Sequence, residues 1–325
     1  MQEVNKRNIR TWSMLGQRGT ICGVALPEIM ADNSRCYVLT ADLGHTSGLD
    51  RVIEQYPNRF INVGIAEQSL IGTAAGIAFD DNVAVVTTFA TFLTMRCFEQ
   101  IRHNLGYQRA NVKLLGAMSG FSIGMFGNTH YAYEDIALMR VIPNMIVISP
   151  ADATEAYKAI YAAIEFDGPV YIRLSDGVNS QMVYESDYEF KIGKSVYLLR
   201  GNNATIIACG GMVAECIKSA QILEEKGIHI SVINMHSIKP LDEEILKSIS
   251  DEEIIFTVEE HSIIGGLGSA VAEYYSSFEH SPRHIRIGVY DKFVAPGEQQ
   301  YIKKVNRLDS VGIAERVFEV VSGDR

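Results

Sequence analysis

Along the first half of the chain, short β-branched apolar runs alternate with stretches of helical periodicity. CYVLTADL, NVAVVTTF, NVKLLGAM, NMIVISP and PVYIRLS read as strands of a parallel sheet buried on both faces. Between them, Gly19–Ala31, Glu67–Phe79, Thr91–Arg102 and Ala153–Glu165 have helical spacing. That alternation predicts an α/β fold with right-handed crossovers and helices on both faces of the sheet. The pattern lapses in the polar passage GVNSQMVYESDYEFKIGK, Gly177–Lys194, which marks the expected domain boundary. A second α/β series follows: ATIIACG, the helix Val213–Lys226, IHISVINM, EEIIFTVEEH, the helix Ser269–Tyr275, HIRIGV and a helix near Val311–Val321. The expected units are residues 8–180 and 192–325, each an open, mostly parallel sheet flanked by helices.

Length agrees, since 325 residues suit two domains at about 150 residues each. A hydrophobic fraction of 47% and a charged fraction of 21% are globular and leave enough apolar mass for sizeable cores. The net charge of -10 argues against nucleic acid or an anionic membrane as main partner. The cysteines (Cys22, Cys36, Cys97, Cys209 and Cys216) are odd in number, and no two form a C-x-x-C pair. Buried thiols are expected rather than disulfides or zinc ligands. The polar N-terminus MQEVNKRNIRTW has no signal-peptide core, and apolar windows such as NVAVVTTFATFLTM are too short to span a membrane. The expectation is a soluble cytoplasmic protein.

Open α/β sheets bind ligands beyond the carboxyl ends of their strands. Those ends carry Thr40-Ala41-Asp42, Thr87-Thr88-Phe89, Ala117-Met118-Ser119 and Ser149-Pro150, which predicts a site near Asp42, Phe92 and the loop leading to His130. In NVGIAEQ, Gly64 gives a turn and Glu67 falls in the first turn of the next helix. A water-facing carboxylate there gains about 0.3–1 kcal/mol from the helix dipole. The neighbours Ile65, Ala66, Leu70 and Ile71 argue instead for burial, and a buried carboxylate needs a partner. Phe92, Met95 and Phe98 recur at i, i+3 and i+6, with Arg96, Glu99, Gln100, Arg102 and His103 on other faces. Alone, such a stripe reads as core packing; its start at a strand's carboxyl end brings it near a ligand crevice.

Gly120, Gly124 and Gly127 make a flexible approach to His130, a residue suited to proton transfer or to a purely structural part. Gly265, Gly266 and Gly268 match neither a Walker loop nor G-x-G-x-x-G, and read as tight strand-to-helix packing. No motif supplies a metal cage or a serine-based triad. A Gly-Asp-Gly segment followed downstream by Asn, suited to magnesium and diphosphate, is missing, and DGVN at Asp176–Asn179 is too short to serve.

Together, TADLGHTSG, RFINVGIAEQSLIGTAAGIA, TTFATFL, GNTHYAYEDIALMRVIPNMIVISPAD, DGPVYIRLS and TVEEHSIIGGLGSAVAE resemble the C-terminal half of transketolase and of its relative 1-deoxy-xylulose-5-phosphate synthase. The resemblance runs from Arg18 to the end of the chain. It implies thiamine diphosphate bound between domains of different chains, with this half supplying the pyrimidine-binding and C-terminal domains. The half that holds Mg2+ and the diphosphate would then be a separate N-terminal-type partner subunit, in an α2β2 heterotetramer acting on small sugars. By the same resemblance, Glu67 contacts N1′ of the aminopyrimidine and favours the tautomer that removes the cofactor's reactive proton. Phe92 packs on that ring, with Met95 and Phe98 completing the apolar pocket. Ile65 touches the cofactor and Asp42 lies near it. His130 contacts the donor's oxygens and Arg18 a terminal phosphate.

Three departures stand out. The loop before His130 is slightly shorter than the family form, Phe126 replaces an acidic residue, and Asp176 stands where a second phosphate-binding arginine is common. An anion facing a phosphate is repulsive, which points toward a modified or branched sugar, a sulfo-sugar or a pathway-specific ketose. The alternatives are the β chain of a 2-oxo acid dehydrogenase decarboxylase, a deoxyxylulose-phosphate-synthase-like enzyme and a scaffold without chemistry. The TH segment favours transfer to an aldehyde.

Overall fold

The computed structural model describes residues 1–175, 177 and 180–323. Its strands are β1 Cys36–Thr40, β2 Phe60–Asn62, β3 Val83–Phe89, β4 Val112–Ala117, β5 Ile146–Ile148 and β6 Val170–Arg173, then β7 Val196–Leu199, β8 Ala204–Ala208, β9 Ile230–Asn234, β10 Ser237–Lys239, β11 Ile254–Ser262 and β12 Arg283–Val289. They form a seven-stranded sheet in the order β10-β5-β6-β4-β3-β1-β2 and a five-stranded sheet in the order β12-β11-β8-β9-β7. The central strands β4, β6, β8 and β9 are buried along their whole length, as their unbroken apolar runs require. Both sheets are mostly parallel and flanked by helices, the expected fold class. Among these strands, β10–β5 and β7–β9 pair antiparallel.

Two short strands alter the expected plan. β10 comes from the second series yet joins the edge of the first sheet, so the two series share a sheet. β2 is three residues long with no fully buried position, too brief for its period to show in the sequence. Its pairing nevertheless sets the site: Thr40 of β1 lies opposite Asn62 of β2 on one side and Thr87 of β3 on the other. The chain leaves β1 outward to β2 and returns past β1 to β3, so the direction of connection reverses there. That reversal opens a crevice at the carboxyl ends of β1 and β3.

The helix Ala153–Glu165 has the predicted bounds; Asp152 caps it by accepting the Glu155 N–H at 2.8 Å. The first helix differs. It begins at Lys6 under an Asn5 cap, kinks at Gly16, and continues through a π-helical turn, Ile21–Ala25, into Leu26–Asp32. Its first turns are polar apart from Ile9 and Trp12, so little periodicity shows; Trp12 anchors them by stacking on Tyr157 at 4.2 Å.

The passage after β6 is pinned. The other Asp152 oxygen accepts the Val183 and Tyr184 N–H groups at 2.8 and 2.9 Å, and the Tyr188 hydroxyl donates to Glu155 at 2.7 Å. All five cysteines are buried, and none forms a disulfide. No helix among the described residues is long and apolar enough to cross a membrane.

The glycine-rich turn after β11 binds the chain's own carboxylate. Glu259 accepts the N–H groups of Leu267 and Gly268 at 2.7 and 2.8 Å, at the start of the helix Leu267–Tyr275. A Cβ on Gly266 would lie 1.9 Å from the same carboxylate. These donors are spent inside the fold, in keeping with tight packing.

Candidate active site

Glu67 opens the helix Glu67–Ala78 and is 5% exposed. The turn before it is set by Gly64, at φ 74, and by Asn62. The Asn62 side-chain oxygen accepts the N–H groups of Gly64 and Asp42 at 3.0 and 2.9 Å, while its amide donates to the Asp42 carboxylate at 3.2 Å. One amide thus joins the loops after β1 and β2. Asp42, exposed, is held at φ 58, and Met118, just past β4, at φ 56. Left-handed backbone is uncommon for a residue such as methionine and gathers at functional loops.

Phe92, Met95 and Phe98 do not share a regular helical face. Phe92–Arg96 is a π-helical turn, the backbone breaks at Cys97, and only Phe98–Gln100 is α-helical before a second π-helical segment, Ile101–Tyr107. A π turn carries more residues than an α turn, so i+3 rotates away from i. Met95 is accordingly 39% exposed, and its sulfur accepts the Thr91 hydroxyl at 3.4 Å. Phe98 packs, half-buried, against the core beneath the Glu67 helix.

Arg96, expected on a different face, lies over the Phe92 ring, its guanidinium carbon 4.3 Å from the ring centroid. It donates to the Glu67 carboxylate at 2.8 Å. The Arg96 side chain is 47% exposed against 6% for Glu67, so the buried carboxylate meets a half-solvated partner.

His130 closes the other side, with its ring 5.2 Å from Phe92 and 5.0 Å from Phe126. Its Nδ1 lies 2.9 Å from the Thr129 hydroxyl. Glu67, Phe92 and His130 are therefore linked in one cluster through Arg96 and ring contacts. Ile65, on the Glu67 loop, is 81% exposed. Arg18 lines a neighbouring depression of about 360 Å³ with His45, Thr46, Ser47, Met118 and Ser122, and donates to the Thr46 carbonyl at 2.6 Å. Asp176 lies outside the described residues. Sequence reasoning gave no part to Asn62; an Asn two residues before a turn glycine at a strand's end is the signal that marks it.

Below the His130 loop, burial pushes the Glu134 carboxyl up to about 7; the Tyr133 N–H opposes this and the Asp135 charge adds to it. The folded chain then holds this proton more tightly than the unfolded chain does. The resulting stabilisation is complete below the unfolded value of 4.5 and is lost as pH rises through about 7. Glu134→Gln cannot ionise, so it should raise the thermal midpoint over wild type at about pH 8 and leave the two nearly equal at about pH 4. Midpoints that differ equally at both pH values would contradict this.

An apolar ring wall beside a buried carboxylate fits a flat heterocycle with a ring nitrogen, such as the aminopyrimidine of thiamine diphosphate. Comparison with known proteins points the same way. Residues 18–179 match the transketolase pyrimidine binding domain and residues 193–313 the transketolase C-terminal domain. A protein of Methanocaldococcus jannaschii described as a transketolase C-terminal section is 39% identical over 91% of this chain and 94% of its own length. One subunit of an apulose-4-phosphate transketolase from Actinobacillus succinogenes is 38% identical over 85% of this chain and 89% of its own. Among solved structures, a split-gene transketolase described as an inactive β4 tetramer superposes with a TM-score of 0.83 at 37% identity, covering 95% of this chain and 99% of that one.

Proposed function

The chain belongs to the transketolase family, and on that premise we propose that it is the C-terminal-type subunit of a split, thiamine-diphosphate-dependent transketolase. It moves a two-carbon ketol unit from a ketose to an aldose acceptor. Residues 8–180 serve as the pyrimidine-binding unit and residues 192–325 as the C-terminal unit. Mg2+ and the diphosphate belong to an N-terminal-type partner in a cytoplasmic α2β2 assembly; five cysteines outside any disulfide suit that compartment. The observation that carries the reading is the burial of Glu67 in a cluster that runs through Arg96 to Phe92 and His130.

Thiamine diphosphate, when bound, supplies a carbon nucleophile and an electron sink. The chain's own residues hold and protonate. Glu67 exchanges a proton with the pyrimidine N1′, for which a carboxyl group in a dry setting is required. Phe92 offers the ring an apolar face, Ile65 and Met95 are exposed beside it for contact with the cofactor, Phe98 supports the pocket from the core side, and Asp42 approaches from the β1 loop. His130 donates to the oxygens of the sugar donor, and Arg18 receives the sugar's anionic end.

The test is reconstitution. The purified chain alone should bind thiamine diphosphate weakly and transfer nothing; with its partner, Mg2+, a ketose and an aldehyde acceptor, two-carbon transfer should appear. Acyl transfer from a 2-oxo acid to a lipoylated carrier, with no ketol transfer, would overturn the reading.

A further inference from the structure

We propose that Arg96 is a stand-in for the aminopyrimidine ring: in the cofactor-free chain it occupies the ring's place, holds the Glu67 side chain in position, and leaves when the cofactor enters. The inference rests on the reading that Glu67 and Phe92 receive that ring.

A guanidinium is flat, delocalised and rich in N–H donors, so it resembles an aminopyrimidine in shape and in donor edge. Here its carbon sits 4.3 Å above the Phe92 ring while one nitrogen donates to the Glu67 carboxylate at 2.8 Å. Those are the two contacts assigned to the cofactor ring, a stack on Phe92 and a hydrogen bond to Glu67. One ring face cannot carry both groups. Without Arg96, a carboxylate 6% exposed would lose its charged partner, which is costly in a buried setting.

Departure is easy for this side chain. Nearly half of it is already in water, so its charge need not cross an apolar region to leave. Its backbone stays put, because the Arg96 carbonyl accepts the Gln68 side-chain amide at 3.2 Å. The pair therefore acts as a two-state element. Arg96 keeps the carboxylate in place before loading, and the cofactor's apparent affinity is reduced by the fraction of chains in which Arg96 covers the ring site.

The test uses the reconstituted complex and calorimetric titration with thiamine diphosphate. Arg96→Ala should tighten binding about tenfold, as expected when a competing state is removed. The same change should lower the thermal midpoint of the cofactor-free chain, since Glu67 loses its partner. Added guanidinium chloride should weaken cofactor binding to Arg96→Ala more than to wild type by refilling the vacated place. Arg96→Lys, which pairs with Glu67 but cannot stack as a plane, should bind between the two. Weaker or unchanged binding by Arg96→Ala would sink the inference. Glu67→Ala separates the two ideas: if it also leaves cofactor affinity unchanged, the assignment of Glu67 to the ring fails as well. If Glu67→Ala weakens binding, only the stand-in is lost.

Discussion

Glu67→Gln should lower two-carbon transfer by the assembled complex by roughly 10²–10⁴-fold, the range expected when a positioned proton-transfer group is lost. The helix start and its burial should be nearly unchanged, because the amide has the shape of the carboxylate and Glu67 lies at the first helical position. What the amide lacks is the ability to take and return a proton. The loss should therefore appear in kcat, with assembly and the folded state intact by gel filtration and circular dichroism. Wild-type turnover by Glu67→Gln would remove this residue from its assigned part. Loss of assembly would instead show that the carboxylate serves the interface.

The second large effect lies beneath the site. Arg173 and Asp135 are 2% and 0% exposed, and Arg173 Nε donates to both Asp135 oxygens at 2.8 and 3.1 Å. The Tyr171 hydroxyl donates to Asp135 at 2.6 Å, and Arg173 Nη2 donates to the carbonyls of Ala132 and Glu260 at 3.0 and 2.9 Å. Burial by itself lowers the proton affinity of the Arg173 guanidinium, and Asp135, with Tyr171 and Glu260, more than restores it. This cluster ties the end of the His130 loop to β6 and to β11 of the second sheet. Replacing Asp135 by Ala leaves a buried cation unpaired and should cost about 3–5 kcal/mol. Denaturant midpoints should record it. The double variant Asp135→Leu with Arg173→Met should cost less than the sum of the single changes, since neither charge is then stranded. Full additivity would show that the two side chains act separately.

Several features of this molecule were legible in its residues. Helix and strand periods, the strand-end position of Glu67 and His130, and the order of motifs along the chain are local properties, so one sequence carries them. The helix Ala153–Glu165 shows this well, with its Asp cap and its apolar face both written in adjacent residues. Burial of Glu67 was also foreseeable, because Leu70, Ile71 and Ala74 on the following turns are core residues.

What the tertiary structure decided depends on contacts between distant segments or on departures from regular geometry. β2 and β10 are each three residues long and exist as strands through their pairing with β1 and β5. The π-helical turn at Phe92–Arg96 carries Met95 away from Phe92 and leaves Arg96 above its ring, whereas regular helical periodicity predicts the reverse. Asn62 joins two loops 20 residues apart along the chain. Sequence by itself determined which side chains lie at the carboxyl ends of the strands, because a strand's end is set by the residues next to it. Only folding decided which of them face one another, because that depends on register, on a widened helical turn and on which donor reaches a buried carboxylate.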